Sequence, residues 1–221
     1  IVLNTGTDVT TTGDVDILNS GNLTLTGATM TGNNMNMTGT GSSISVNSGI
    51  TLAGNFLYDI TDKTDSVWGS SSFLKITGFD AFLEMGSEDF GIDPANHIGL
   101  AAGFTNNFDL TELIIGSGAK IHMADFFDNG NRIEHGFGID EAIYVDTLRF
   151  DDTFGLLNLN GLNLYYNTLI GDTSQIIDEE APPLGQPVPE PATVALLGIG
   201  LAGLGGGYMR RRRKRKLIEY C

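Results

Sequence analysis

Through the first 55 residues, apolar side chains recur in alternating pairs: Val15 and Ile17, Leu23 and Leu25, Ala28 and Met30, Met35 and Met37, Ile44 and Val46, Ile50 and Leu52. Period two belongs to a strand with one buried face, because successive side chains point to opposite sides of the pleat. Gly, Thr-Gly and Asn-Ser-Gly separate the pairs, and these residues make turns. Pairs return every five to nine residues, too irregularly for a helix and too closely for a β-α-β unit. Two-residue apolar steps of this kind are buried when successive turns of chain stack the same inward positions, as in a parallel β-solenoid. The competing reading is a disordered Thr/Asn/Gly-rich segment, and the regular alternation of Leu, Ile, Val and Met argues against it.

The rest of the outer chain keeps this period with larger side chains. All twelve Phe lie between Phe56 and Phe154, and the lone Trp68 is among them. Over 56–110 the pattern is less regular, and Pro94 interrupts it; solenoid strands carrying longer loops that cover one face are expected there. From 110 the pairs return as Ile121 and Met123, Ile143 and Val145, Leu148 and Phe150. Leu157, Leu159, Leu162 and Leu164 then predict one inward face, and Asn158, Asn160 and Asn163 between them predict an asparagine ladder. The runs Glu141–Leu148 and Leu157–Tyr165 resemble the final repeats of bacterial β-helical, autotransporter-like surface proteins. Residues 1–176 are thus expected to be all-β, a parallel β-solenoid ectodomain. Residues 177–187 hold Asp178, Glu179 and Glu180, and five of the six prolines fall between 182 and 191, so a stiff, extended linker is expected next.

The tail has a different chemistry. Residues 192–209 run for 18 positions without a charge. At about 1.5 Å per residue such a helix spans about 27 Å, close to the ~30 Å of a bilayer core. Seven basic residues follow: Arg210, Arg211, Arg212, Arg213, Lys214, Arg215 and Lys216. Basic flanks stay cytoplasmic, so a single-pass helix with its C-terminus inside is expected. Each such group near an anionic leaflet adds about 1 kcal/mol to that preference. Before the helix, Pro189 and Pro191 bracket Glu190; two fixed φ angles and two missing donors keep this stretch extended and out of the helix. Gly198-Ile199-Gly200-Leu201-Ala202-Gly203 spells a dinucleotide fingerprint, but a proline-rich segment precedes it where a strand is required.

Pro-Glu-Pro, a Gly-rich apolar helix and an Arg cluster, in that order across 188–216, resemble the PEP-CTERM sorting signal of Gram-negative bacteria. Leu217 to Cys221 run on past the basic cluster. The resemblance implies passage through the inner membrane and processing near Pro189–Pro191 by exosortase, a membrane-embedded protease/transpeptidase. It also implies delivery to the cell surface or extracellular matrix, with exopolysaccharide as a matrix partner. Since Ile1 is not Met and no basic-then-apolar leader precedes it, the chain is expected to be the C-terminal part of a longer precursor.

Charge narrows the partners. Of 12 Lys and Arg, seven sit in 210–216, leaving five against 25 acidic residues in 1–187, about −20. That field argues against nucleic acid and anionic lipid. The lone Cys221 lies past the basic cluster, so no disulfide staples the outer part. No cofactor motif is present. His97, His122 and His135 have no metal-ligand spacing. Asp125 to Gly130 has the look of a calcium loop, yet Phe127 stands where an oxygen ligand belongs and Gly136 where the bidentate Glu should fall. Asp125, Asp128, Asp140 and Glu141 could serve calcium only in another geometry. An enzyme acting on acidic sugar would want two carboxylates beside a cation on one sheet face, for which Arg149 and Lys120 with Asp146, Asp151 and Asp152 are the candidates. With no catalytic residue, metal or cofactor assigned, the expectation is a non-enzymatic matrix protein, and a β-helix polysaccharide lyase or hydrolase with the same tail is the alternative.

Overall fold

A computed structural model describes residues 1–179 except 40, 61, 85, 88, 90, 106 and 128–141. The expected helix at 192–209, Pro189, Glu190, Pro191 and the basic cluster Arg210–Lys216 lie outside the described residues. Among the described residues there is no α-helix; the backbone is strand, turn and four short 3-10 segments.

The described residues wind through seven coils. Coil one holds β1 (Val2–Leu3), β2 (Asp8–Thr10) and β3 (Val15–Leu18); coil two holds β4 (Asn22–Gly32) and β5 (Met35–Thr38). Coil three is β6 (Ser43–Leu52) with β7 (Phe56–Asp59), and coil four is β8 (Ser66–Trp68), β9 (Phe73–Ile76) and β10 (Phe79–Glu84). An excursion carrying β11 (Gly91–Asp93) and β12 (Ile98–Gly99) then leaves the stack. Coil five returns with β13 (Leu110–Ile115) and β14 (Lys120–Ala124). Coil six is β15 (Ala142–Phe150) with β16 (Leu156–Asn158), and coil seven is β17 (Asn163–Ile170) with β18 (Ile176–Ile177).

Stacking these coils makes two all-parallel sheets. The first, sheet A, runs β1-β4-β6-β9-β13-β15-β17, with β2 on β4 and β8 on β6. The second, sheet B, runs β18-β16-β14-β10-β7-β5-β3. The parallel solenoid expected from period two is therefore the fold observed. The pairs that recur every few residues are successive segments of a single coil, whose repeat is about 20 residues: Met30 registers on Ile50, and Thr24 on Ser45. Sheet A bends between Thr26 and Thr29, where its register shifts. Gly27 sits at that bend with φ +63°, and an added Cβ would lie 2.9 Å from Thr5 Oγ1. A left-handed residue pressed against the neighbouring coil explains glycine there.

The core is a set of registered columns. One runs Met30, Ile50, Leu74, Leu113, Leu148, Leu169 from coil to coil. Another runs Gly32, Leu52, Ile76, Ile115, Phe150. In sheet B, Met35 stacks on Phe56, Phe56 on Leu83 and Leu83 on Met123. All of the column residues in coils two to six except Gly32 belong to one contiguous buried cluster. Each apolar side chain contributes roughly 1.5–3 kcal/mol when fully buried.

Two details depart from the sequence reading. Leu157 and Leu164 are buried, but Leu159 and Leu162 are only partly so, because they flank the turn of the last coils. Instead of a mutual ladder, the amides of Asn158, Asn160 and Asn163 donate to Glu179 O, Met123 O and Asp89; between coils, asparagine meets aspartate. Asp16 accepts from Asn36 one coil later, Asp14 from Asn33 and Asn34, and Asp146 from Asn167, at 2.8–2.9 Å. Equivalent positions of adjacent coils hold Asp in one and Asn in the next, so each rung is a charge-assisted amide-to-carboxylate bond.

The excursion covers part of the outer surface of sheet A, as the longer loops were expected to do. Tyr144 and Tyr165 stack at 4.8 Å on that face, and Phe104 meets Tyr144 edge-on at 5.1 Å. Gly99 and Gly103 lie directly on these rings; a Cβ at Gly103 would fall 2.1 Å from Tyr144 Cε1. His97 seals the edge, its Nδ1 3.0 Å from Leu164 O and its ring 5.2 Å from Tyr166. Burial first, then the adjacent Asp89 carboxylate, pushes the Tyr165 hydroxyl far above its ordinary pKa.

Candidate functional site

Among the described residues, three places gather chemistry-bearing side chains. The first is a charged cluster on the outward face of sheet A. Lys75 on β9 and Arg149 on β15 are both in register with Ile114 of β13, so the coil repeat places them one on each side of the same strand. Lys75 Nζ is 2.6 Å from Asp151 Oδ2. Arg149 Nε lies 3.3 Å from Glu112 and 3.8 Å from Asp151. Two carboxylates and two cations therefore share one sheet face. Of the residues singled out in the sequence, Arg149 and Asp151 belong here. Lys75 and Glu112 were missed, because only the register between distant coils reveals them.

The remaining candidates do other work. Lys120 lies on sheet B. Asp146 is exposed and holds Asn167. Asp152 closes a turn, accepting from the Ser117 hydroxyl and from the backbone N–H groups of Phe154, Gly155 and Gly118. The Ser117 bond, then that of Phe154, holds its carboxyl below the ordinary carboxylate range. Asp128, Asp140, Glu141 and His135 lie outside the described residues, and no group of three metal-ligating side chains occurs among the described ones.

The second place is the outer face of sheet B. A bulge between Phe79 and Ala81 puts Asp80 at φ +59°. Asp80 Oδ1 then reaches His122 Nε2 at 3.3 Å. Phe82 packs on His122 at 5.6 Å and on Phe126 at 5.3 Å.

The third is the end of the last coil, where the chain leaves for its tail. Asp172 and Gln175 form a capping box, and buried Gln175 donates to Asp152 O at 2.7 Å and Gly155 O at 3.0 Å. Gly161 N donates to Asp178 at 2.7 Å. Asn158, also buried, donates to Glu179 O at 3.1 Å and accepts from Glu179 N at 2.9 Å. These bonds tie the backbone to the fold as far as Glu179. Ala95, His97, Leu159, Leu162, Asn163, Ile176 and Asp178 line a cleft of about 340 Å³ beside this exit.

Among the described residues no helix is long and apolar enough to cross a membrane. Compared with known families, residues 187–214 match the PEP-CTERM protein-sorting motif. No curated protein and no solved structure matches the chain. The chain thus carries, at its C-terminus, a sorting motif that implies export and processing by exosortase, attached to a parallel β-solenoid.

Proposed function

We propose that this chain is a non-enzymatic surface or extracellular-matrix protein, associated with biofilm exopolysaccharide and delivered by its C-terminal signal. The observation that carries the reading is the sorting motif at 187–214, beginning within ten residues of Glu179, the last described residue, which is hydrogen-bonded to Asn158. In this reading residues 1–176 are the ectodomain, 177–187 the linker and 188–216 the signal. Helix 192–209 holds the precursor in the inner membrane, and Arg210–Lys216 keep the C-terminus cytoplasmic. A span this rich in glycine inserts weakly, so the basic cluster sets its orientation. Exosortase then acts near Pro189, Glu190 and Pro191. The test is mass spectrometry of the extracellular protein from its host. Its last peptide should end close to Pro189–Pro191, and a peptide reaching Tyr220 would show an uncleaved anchor instead.

The second reading is a polysaccharide lyase or hydrolase, and the grouping of Glu112, Asp151, Arg149 and Lys75 favours it. Against it, both carboxylates already carry an ion-pair partner. The charge of about −20 on residues 1–187 also repels a uronic-acid substrate. Release of reducing ends or unsaturated uronates from matrix polymers, lost on Asp151→Asn, would establish the enzyme.

A further inference from the structure

Among the described residues, the outer face of sheet B carries a compact group of aromatic and hydrogen-bonding side chains outside the buried columns of the core. Outward positions of coils four to six form two neighbouring columns by register. One is Phe79, Lys120, Leu156 and the other Phe82, His122, Asn158. Phe79 is 76% exposed and Phe154, two residues before Leu156, 77%. Exposed apolar groups gathered in a patch and rimmed by polar residues mark interaction sites. Polar groups are interleaved with them: Lys120, the His122 imidazole and Asp80, which the bulge swings toward that imidazole. His122 is oriented from both sides, with Nε2 at Asp80 and Nδ1 3.3 Å from Asn158 Nδ2. Asn158 is itself pinned by Glu179, so its amide nitrogen faces the imidazole and the Nε2 proton points at Asp80.

We infer that this face is a binding strip for a neutral polysaccharide running along the solenoid axis, which rests on the matrix-protein reading above and supplies its ligand. Size selects the occupant. Three rungs at about 4.8 Å and two outward positions about 7 Å apart, with Asn158 of the last rung buried, give a strip of under about 100 Å² at the backbone. Doubled for side-chain reach, that is far short of the roughly 800 Å² per partner of a stable protein interface. It suits a narrow chain. Rung spacing is close to the length of one sugar residue, so successive sugars of an aligned chain meet successive coils. A sugar offers a C–H face that an aromatic ring attracts through its negative quadrupole, and a hydroxyl edge for ammonium, imidazole and carboxylate. Charge selects among polysaccharides: about −20 on residues 1–187 repels polyanions, and a neutral polymer loses nothing there.

The experiment is native affinity electrophoresis of the processed extracellular protein, in gels cast with hydroxyethylcellulose, mixed-linkage β-glucan, dextran or polygalacturonate. If no processed form is recovered, which would count against the function proposed above, the full chain in detergent is run in the same gels. Retardation by at least one neutral polymer is expected, with little by polygalacturonate. Phe79→Ala and Lys120→Ala should each weaken it roughly five- to tenfold. Val67→Ala, an exposed apolar change on sheet A, should leave it intact. Circular dichroism verifies that each variant is folded. No retardation in any neutral gel, retardation untouched by Phe79→Ala and Lys120→Ala, or stronger retardation by polygalacturonate would each overturn the assignment.

Discussion

Replacing Leu113 by alanine removes the middle of a six-member column. Leu113 is fully buried, with Leu74 in register on one side and Leu148 on the other. Both neighbours belong to β-strands fixed by their own ladders, so the cavity cannot close by a small shift. Leu→Ala at such sites costs about 2–5 kcal/mol, the upper end where collapse is blocked, and about 4 kcal/mol is expected here. Leu159, which has the same alternating pattern in the sequence, is only half-buried and lines the cleft at the last coil. Leu159→Ala should therefore cost about 1–2 kcal/mol, roughly half the transfer energy and little cavity. The assay is urea unfolding followed by Trp68, whose ring lies 6.1 Å from Phe56 inside the stack. With a slope of about 2 kcal/mol per molar, Leu113→Ala should lower the midpoint by about 2 M and Leu159→Ala by less than about 1 M. In a solenoid each coil is stabilised by its neighbours, so the Leu113 variant should also broaden the transition as the two halves uncouple. Equal costs for the two variants, or under 1 kcal/mol for Leu113→Ala, would refute the column as the source of stability.

Gly103→Ala would drive a Cβ into Tyr144 and should undock the excursion while the coils persist, seen as new protease cleavage within 86–109 and unchanged circular dichroism. Asp14 is held below its ordinary 3.8 by the amide of Asn33, then that of Asn34. A depressed folded pKa adds stability above the unfolded value and loses it as pH falls through the folded one, so this rung should fail only in acid below about 3.8. Asn33→Ala should move the Asp14 carboxyl titration, read by NMR, back toward 3.8. Alanine at Pro189, Glu190 and Pro191 together should leave insertion intact and accumulate the full-length chain in the inner membrane, whereas deleting Arg210–Lys216 should disturb topology; fractionation and immunoblotting separate the two outcomes.

Period two in Val15/Ile17, Leu23/Leu25 and Met35/Met37 was enough to specify parallel stacked strands. Alternation is a local property, and a two-residue apolar step has few other ways to be buried. The sorting motif was legible for a similar reason, since its three elements are contiguous and need no partner from elsewhere in the chain. Register was not legible. Leu74 meets Leu113, and Leu113 meets Leu148, across steps far longer than the 20-residue repeat, because inserted segments intervene. Nothing local encodes how much chain leaves the stack before it returns. The same distance hid the pairing of Lys75 with Asp151, whereas the bond between Asn158 and Glu179 spans a single coil and was hidden by the side chain's burial. It also hid the fate of Tyr144 and Tyr165, outward by alternation yet buried beneath Gly99 and Gly103. Which side of a strand a residue occupies follows from the pleat, but whether that side is dry depends on a segment docked from tens of residues away, and only the tertiary structure decides that.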